Sequence, residues 1–155
     1  MPTFRMTRTV KHKPAQMFAL VADVERYPEF LPLCEDLRII RRVQSGEGVE
    51  TLVATMSVGY KAIKETFTTR VTLDEPRLRI EVEYVDGPFK HLENRWTFRD
   101  TPAGSEVEFY INYEFKSFAL SILMGSVFDK AFRKFTDAFE QRADTIYGAR
   151  GALAT

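Results

Sequence analysis

The chain has 155 residues, of which 45% are hydrophobic and 28% charged; this composition is typical of one compact domain and excludes a disordered or collagen-like chain. Its 22 basic and 22 acidic residues cancel, so no overall field draws the protein toward nucleic acid or an anionic membrane. The single cysteine, Cys34, excludes an intramolecular disulfide and a cysteine metal cluster, and it indicates a reducing, cytoplasmic compartment.

The content of aromatic residues is the unusual feature of the composition. Thirteen phenylalanines fit either an ordinary core or the wall of a cavity for a large apolar molecule. The longest apolar run, 118–124, is far shorter than the roughly 20 residues needed to span a bilayer. Residues 1–10 contain no apolar stretch of the kind found in a signal peptide. We therefore expect a soluble protein that contacts a membrane surface at most.

The first predicted elements are a strand and two short helices. In residues 3–10, large side chains such as Phe4 and Met6 alternate with polar ones such as Arg5 and Thr7, which predicts a β-strand. Pro14 is well placed as the first residue of a helix, and the helical pattern that follows it stops near Asp23. The aromatic linker 27–33 contains two prolines four residues apart, which forbid a long helix but permit one short turn.

A long region of period two follows, between Leu37 and Phe115. In each segment one side is apolar and the other is charged, which predicts six antiparallel strands with one solvated face. Together with the first strand they make a seven-stranded sheet. Predicted turns or bulges lie at 45–48, 59, 74–76, 86–88 and 101–104.

Residues 117–147 switch to a helical period. Their apolar stripe consists of Phe128, Phe132, Phe135, Phe139 and Ile146. Because this stripe matches the apolar face of the sheet, we predict a curved sheet wrapped around one long helix. Taken alone, the stripe fits a plain core as well as a ligand wall. Residues 1–147 are predicted to form a single domain, and residues 148–155 a flexible tail.

The start of the long helix differs from the rest of it. Residues 118–125 are apolar around nearly the whole circumference, so their outer side needs a cover. Either this segment packs under the linker 27–33 as a lid over a cavity mouth, or it dips into a membrane interface when a ligand is loaded. Gly125 offers a point where the two halves of the helix can flex.

Residues able to carry out catalysis are few. His12 lies between two lysines and is expected to be solvated, while His91 falls on the charged side of its strand. Cys34 follows an apolar stretch and is expected to be a packed thiol. The sequence has neither the spacing of a common metal site nor a glycine-rich phosphate loop. We therefore predict no catalytic residue, no metal and no required cofactor.

Two polar residues, Lys90 and Asn94, share the inward parity of Leu92, Trp96 and Phe98. In one interpretation Lys90 extends its amine to water at a strand start and Asn94 bonds to the backbone. In the other, both donate hydrogen bonds to a carbonyl or hydroxyl at the polar head of a ligand, whose apolar part lies among the aromatic residues.

Basic residues form two clusters in the first third of the chain. The clusters are Arg5, Arg8, Lys11 and Lys13, and then Arg38, Arg41 and Arg42. They fit a solvated face, contact with anionic lipid headgroups, or contact with ribosomal RNA phosphates. Because the sequence shows no aromatic signature of base recognition, we expect no DNA partner.

Two segments, Tyr27–Cys34 (YPEFLPLC) and Gly87–Phe98 (GPFKHLENRWTF), resemble the coenzyme-Q-binding START-domain family, and the match spans nearly the whole chain. This family belongs to the polyketide-cyclase and lipid-transport superfamily and includes bacterial proteins described as ribosome association toxins. The resemblance implies an α+β helix-grip fold (START or Bet v 1-like), in which a curved seven-stranded antiparallel sheet wraps around a long C-terminal helix, with two short helices after the first strand.

The resemblance also implies a function. It suggests a non-catalytic carrier or chaperone that holds ubiquinone or a similar prenyl lipid between sheet and helix and supports respiratory electron transport. The expected location is the cytoplasm or the inner face of the respiratory membrane. Lys90 and Asn94 match the second segment and are expected near the quinone oxygens. Expected contacts with the rest of the ligand are Phe30, Leu33, Met56, Phe67, Val82, Trp96, Phe109, Met124 and Phe128. The alternatives are a ribosome-associated regulator that blocks subunit association and a polyketide cyclase-like enzyme.

Overall fold

The computed structural model describes residues 3–148, in which two short helices separate the first strand from a six-stranded meander. The elements are β1 (Thr3–Val10), α1 (Pro14–Ala22), a 3-10 helix (Val24–Glu29), β2 (Cys34–Gly46), β3 (Val49–Tyr60), β4 (Ile63–Asp74), β5 (Arg79–Asp86), β6 (Phe89–Thr101), β7 (Gly104–Phe115) and α2 (Phe118–Tyr147). The sheet order is β1-β7-β6-β5-β4-β3-β2, with every neighbouring pair antiparallel. The predicted helix-grip fold is confirmed. Of the predicted tail, only Gly148 lies within the described residues.

The two short helices begin and end where the prolines allow. Pro14 opens α1, and the backbone N–H of Lys13 donates to the Gln16 side chain at 3.0 Å, which closes the first turn. The helix ends at Ala22, one residue before the predicted limit. The 3-10 helix contains Pro28 and ends three residues before Pro32, so it begins earlier in the chain than the short turn that the sequence predicts between the two prolines. The prediction of a second short helix after the first strand is confirmed.

The turn between β3 and β4 lies two residues later than predicted. Gly59 stays inside β3, and the chain reverses at Lys61, whose φ of 56° is in the left-handed region. The Glu35 carboxylate lies over Gly59 and binds Lys64 at 2.8 Å, so a Cβ atom at position 59 would require the flexible Glu35 side chain to move.

Helix α2 lies against the concave face of the sheet through the predicted phenylalanines. The prediction is wrong for Ile146, which is 51% exposed, while Ala143 is fully buried. The last turn of α2 packs against α1 instead, and the Tyr147 hydroxyl donates to the Gln16 carbonyl at 3.2 Å. The helix end is therefore directed toward α1 and not toward the sheet.

The connection between β1 and α1 also differs from the prediction. His12 is completely buried, although both lysines beside it are exposed. Its Nε2 lies 2.7 Å from Asp144 Oδ1, and its ring centroid lies 6.0 Å from that of Tyr147. The expectation of a solvated histidine was wrong because β1 and α1 both pack beside α2, so the turn that joins them lies against the last turns of α2.

Candidate ligand cavity

An apolar cavity lies between the concave face of the sheet and α2. Its atom-free space is about 1000 Å³ including the open mouth, of which about 120 Å³ admits the centre of a water molecule. The cavity is therefore narrow and suits a slender ligand. Its wall comes from the linker, from β2 through β7 and from one side of α2.

Strand pairing aligns the cavity-facing side chains in rows. Val82 of β5 pairs with Val71 of β4 on one side and with Asn94 of β6 on the other, and Asn94 pairs in turn with Ile111 of β7. A row of four side chains thus crosses four strands on one face, since residues directly opposite each other in an antiparallel sheet point the same way. All four line the cavity.

The structure brings together eight of the eleven residues predicted to contact a ligand. The eight that line the cavity are Leu33, Met56, Phe67, Val82, Asn94, Trp96, Phe109 and Phe128. They come from the linker, five strands and α2, so strand parity located them correctly in elements far apart in the sequence. Their role in binding stays a prediction.

Lys90 is not among them, and the expectation that it faces inward is wrong. Its side chain is exposed, with Nζ 3.5 Å from Glu114 Oε2. The register between β6 and β7 shifts between Phe89 and His91, so the strand carries a bulge there. The bulge turns Phe89 inward, where it is 1% exposed, and Lys90 outward.

Phe30 and Met124 do not line the cavity: Met124 is buried in the core, and Phe30 is half-buried against it. The Phe30 ring meets Phe139 edge-on at 5.1 Å between centroids, and the Arg142 guanidinium lies 5.1 Å from the centre of the Phe30 ring. Arg142 also binds Glu29 at 2.7 Å. Hydrogen bonds from Arg26 and Arg142 lower the pKa of Glu29. These contacts fasten the linker to the middle of α2.

The lid prediction for residues 118–125 is therefore wrong. The aromatic residues of the linker pack on Phe139. Phe118 is 82% exposed, and Ile122 and Leu123 are exposed as well. None of the helices within residues 3–148 is long and apolar enough to cross a membrane. The alternative for this segment, contact with a membrane interface, stays a prediction.

Polar groups on the cavity wall are few, and one of them was missed. Thr69 is buried and lines the cavity between Phe67 and Val71 of β4. Strand parity would have found it, had polar residues been read with the same rule as apolar ones. The Asn94 amide donates one N–H to the Tyr110 carbonyl at 2.8 Å. An amide has a second N–H and an oxygen, so Asn94 keeps hydrogen-bonding capacity for a ligand.

The two ionisable groups on the wall, Tyr27 and Cys34, are held neutral by burial. The Tyr27 hydroxyl donates to the Val21 carbonyl, and desolvation raises the pKa of Tyr27 well above its usual range. Desolvation, followed by the nearby charge of Asp36, raises the pKa of Cys34 to about 11. Cys34 is buried, as predicted for a packed thiol. Within residues 3–148, no three His, Cys, Asp or Glu side chains come together in a way that would hold a metal ion.

The basic clusters are partly neutralised on the surface. Arg8 binds Asp137 at 2.6 Å and Glu140 at 3.0 Å, which raises the pKa of Arg8. In the second cluster, Arg42 binds Glu50 at 2.8 Å. Arg41 has no carboxylate within 4.0 Å among the described residues and is exposed.

Comparison with known proteins identifies a family and several named relatives to which this chain is similar. The family model described as "Polyketide cyclase / dehydrase and lipid transport" matches residues 10–140. The "Ribosome association toxin RatA" of Escherichia coli (strain K12) is 37% identical over 153 residues, which cover 97% of this chain and 92% of that protein. The "Coenzyme Q-binding protein COQ10, mitochondrial" of Dictyostelium discoideum is 31% identical over 154 residues, which cover 97% of this chain and 73% of that protein.

Solved structures show the same architecture. The solution structure of an 18 kDa protein from Caulobacter crescentus superposes with a TM-score of 0.80 at 35% identity and covers 96% of this chain and 100% of that chain. The Zhui aromatase/cyclase from Streptomyces superposes with a TM-score of 0.79 and covers 97% of this chain and 99% of that chain. Its identity is 17%, so this second likeness concerns the fold alone.

Proposed function

The chain belongs to the polyketide cyclase/dehydrase and lipid transport family, and from this premise we propose that it binds ubiquinone or a similar prenyl lipid as a non-catalytic carrier that supports respiratory electron transport. The observation that carries the proposal is the narrow, aromatic-walled cavity between sheet and α2. The 31% identity to a relative named as coenzyme Q-binding supports the choice of ubiquinone.

The wall suits an isoprenoid chain on physical grounds. Burial of apolar surface contributes roughly 25 cal/mol per Å², so a prenyl tail gains binding energy from each unit that leaves water. Trp96, Phe109 and Phe128 provide large apolar faces for this contact. Asn94 and Thr69 supply an amide and a hydroxyl for the oxygens of a quinone head. The ligand is thus held by burial and oriented by two polar groups.

The state of the ionisable wall groups supports binding over catalysis. Proton transfer at neutral pH requires a group whose pKa lies near the working pH. Tyr27 and Cys34 have pKa values raised by burial, so both remain protonated. Neither can therefore act as a general base at neutral pH, the role that proton abstraction in a cyclase would require.

A fluorescence titration tests the proposal. Trp96 is the single tryptophan and lines the cavity, so a bound quinone is expected to quench its emission. The titrant is ubiquinone-2, and lipid extracted from detergent-free protein is analysed by mass spectrometry. Ala131→Phe fills the cavity and is expected to abolish quenching. Ala119→Phe adds the same ring on the exposed side of α2 and is expected to leave it unchanged.

A second pair of variants tests the orientation of the head. Asn94→Leu removes an inward amide and is expected to weaken ubiquinone-2 binding about 2- to 10-fold, the usual contribution of one hydrogen bond. Lys90→Leu, four residues away on the outer face, is expected to leave binding unchanged. Protein that shows neither quenching by saturating ubiquinone-2 nor a co-purifying prenyl lipid contradicts the proposed function.

A second candidate function is association with the ribosome. It is favoured by the identity to relatives named ribosome association toxins, which extends over nearly their whole length. Arg41, exposed and without a carboxylate partner among residues 3–148, is available for phosphate contact. Sedimentation with ribosomal subunits at increasing salt tests this function. Binding that weakens with salt and with Arg41→Gln supports it, whereas free protein at every salt concentration contradicts it.

A further inference from the structure

At one end of the sheet, here called the mouth end, the cavity-lining residues Leu33 and Phe67 are partly exposed. Because neighbouring strands are antiparallel, the β3–β4 turn, the β5–β6 turn and the start of α2 all lie at this end. Two backbone hydrogen bonds connect the chain segments at this end: the Gly59 N–H donates to the Leu33 carbonyl of the linker at 3.0 Å, and the Lys116 N–H donates to the Pro88 carbonyl of the β5–β6 turn at 2.8 Å.

The first two turns of α2 project from the mouth end. Phe118, Ile122 and Leu123 are 82%, 64% and 59% exposed. Ser121 is exposed as well. It lies three residues before the buried Met124, so both are on the side of α2 that faces the sheet further along the helix. Leu120 is partly buried and Met124 fully buried on the inner side of these turns, so it is the outer side of this part of α2 that stays uncovered. Proteins rarely expose a contiguous apolar patch unless it contacts a partner or a membrane.

Two lysines lie close to this patch, at an end that also carries the exposed Asp86, the last residue of β5. Between Glu114 and Asp129 the chain has no acidic residue, and Lys116 lies two residues before α2. Lys61 lies in the neighbouring β3–β4 turn, with Nζ 5.3 Å from the centre of the exposed Tyr60 ring. Neither lysine has a carboxylate within 4.0 Å in the part of the chain that the structure describes.

An anionic lipid surface complements this combination. Apolar helix faces enter the boundary between headgroups and acyl chains, and lysines bind the phosphates above them. A second copy of the chain fits less well, because a symmetric contact through this patch would bring like charges together.

We propose that the mouth end docks on an anionic bilayer, with Phe118, Ile122 and Leu123 inserted among the headgroups and with Lys61 and Lys116 against lipid phosphates. The proposal rests on the proposed function, since a prenyl lipid must be taken from a bilayer and returned to it. Docking at this end places the cavity mouth against the membrane, so the lipid passes between the two without crossing water.

Vesicle co-sedimentation tests the docking. The vesicles contain phosphatidylcholine alone or a 3:1 mixture of phosphatidylcholine and phosphatidylglycerol. Ile122→Asn is compared with Ile146→Asn, since both isoleucines are exposed on α2 but lie at opposite ends. We expect binding to the anionic vesicles that Ile122→Asn weakens at least tenfold and Ile146→Asn leaves unchanged. Lys61→Gln and Lys116→Gln are each expected to weaken it about fivefold.

Thermal unfolding of each variant shows that loss of binding does not reflect loss of the fold. Absence of vesicle binding by the unmodified protein, or equal binding by the two isoleucine variants, overturns the proposal. A dimer in solution that Ile122→Asn dissociates, without vesicle binding, would assign the patch to a second copy instead. The vesicles contain no quinone, so failure here is distinguishable from failure of the ubiquinone-2 titration.

Discussion

The two ends of α2 are built differently. At the C-terminal end, Phe139 and Ala143 are buried, and two side chains near β1 bind α2: Arg8 to Asp137 and Glu140, and His12 to Asp144. At the N-terminal end, Phe118, Ile122 and Leu123 face solvent, while Leu120 and Met124 pack inward. The helix is capped at this end by Ser117, whose hydroxyl accepts a hydrogen bond from the Leu120 N–H at 3.2 Å.

Because of this difference, one end of α2 contributes mainly to stability and the other end to binding. Buried contacts and long-range polar ties resist local opening, whereas segments with few buried contacts open more easily. The closed end therefore holds the helix on the sheet, and the mouth end leaves the cavity accessible. A lipid carrier needs both properties, because its ligand must enter without unfolding the domain.

The largest expected contrast comes from two phenylalanines on α2. Phe139→Ala removes a ring that is 1% exposed and contacts Tyr27, Phe30 and Trp96, so we expect a loss of about 3–5 kcal/mol in the free energy of unfolding. Phe118→Ala removes the same atoms from solvent-exposed surface, and its effect is expected to stay within about 0.5 kcal/mol. Urea denaturation followed by circular dichroism measures both.

The comparison between the two ends fails if these variants lose similar stability. Phe118 would then be covered by part of the protein in solution. A small effect of Phe139→Ala would mean that the surrounding rings close over the space left behind.

A smaller contrast is expected between the two histidines. His12→Ala removes a buried ring and its bond to Asp144, which we expect to cost about 2–3 kcal/mol, since hydrogen bonds to charged groups are the stronger ones. His91→Ala also removes a side-chain bond, to Asn112, but on the partly solvated outer face. Its cost is expected to stay below about 1 kcal/mol. Equal losses in the same denaturation assay would show that the His12–Asp144 contact does not fasten the closed end.

The fold and most of the cavity wall follow from hydrophobic period, while the exceptions follow from tertiary contacts. Alternation located the inward residues of five strands, β3 to β7, because one face of each of them lines the cavity. It failed at Lys90, where a bulge reverses the parity and no glycine marks the change. It gave no information on His12, which is buried by a helix more than 100 residues away in the chain.

The same reasoning explains why the sequence leaves two alternatives for the cover of residues 118–125, of which the lid is wrong. An all-apolar segment signals that some surface is to be covered, but not which element covers it. The linker carries aromatic residues that would serve, and its position over Phe139 is set by the ties of Glu29 and Phe30 to Arg142. Those contacts depend on three-dimensional placement, which periodicity does not specify.

The smallest expected effect is a gain in the free energy of unfolding, and it concerns the mouth end alone. A Cβ atom built on Gly125 meets nothing within 4 Å, and the residue lies inside α2, so Gly125→Ala is expected to stabilise the protein by about 0.5–1 kcal/mol by restricting the unfolded chain. The denaturation midpoint measures the gain, and Ser126→Ala on the exposed side provides the control for helix propensity. If Gly125→Ala also slows the uptake of ubiquinone-2 in stopped-flow quenching of Trp96, bending of α2 at this glycine takes part in opening the cavity. An unchanged uptake rate with the same gain in stability would show that the first two turns of α2 move as one body with the rest of the helix.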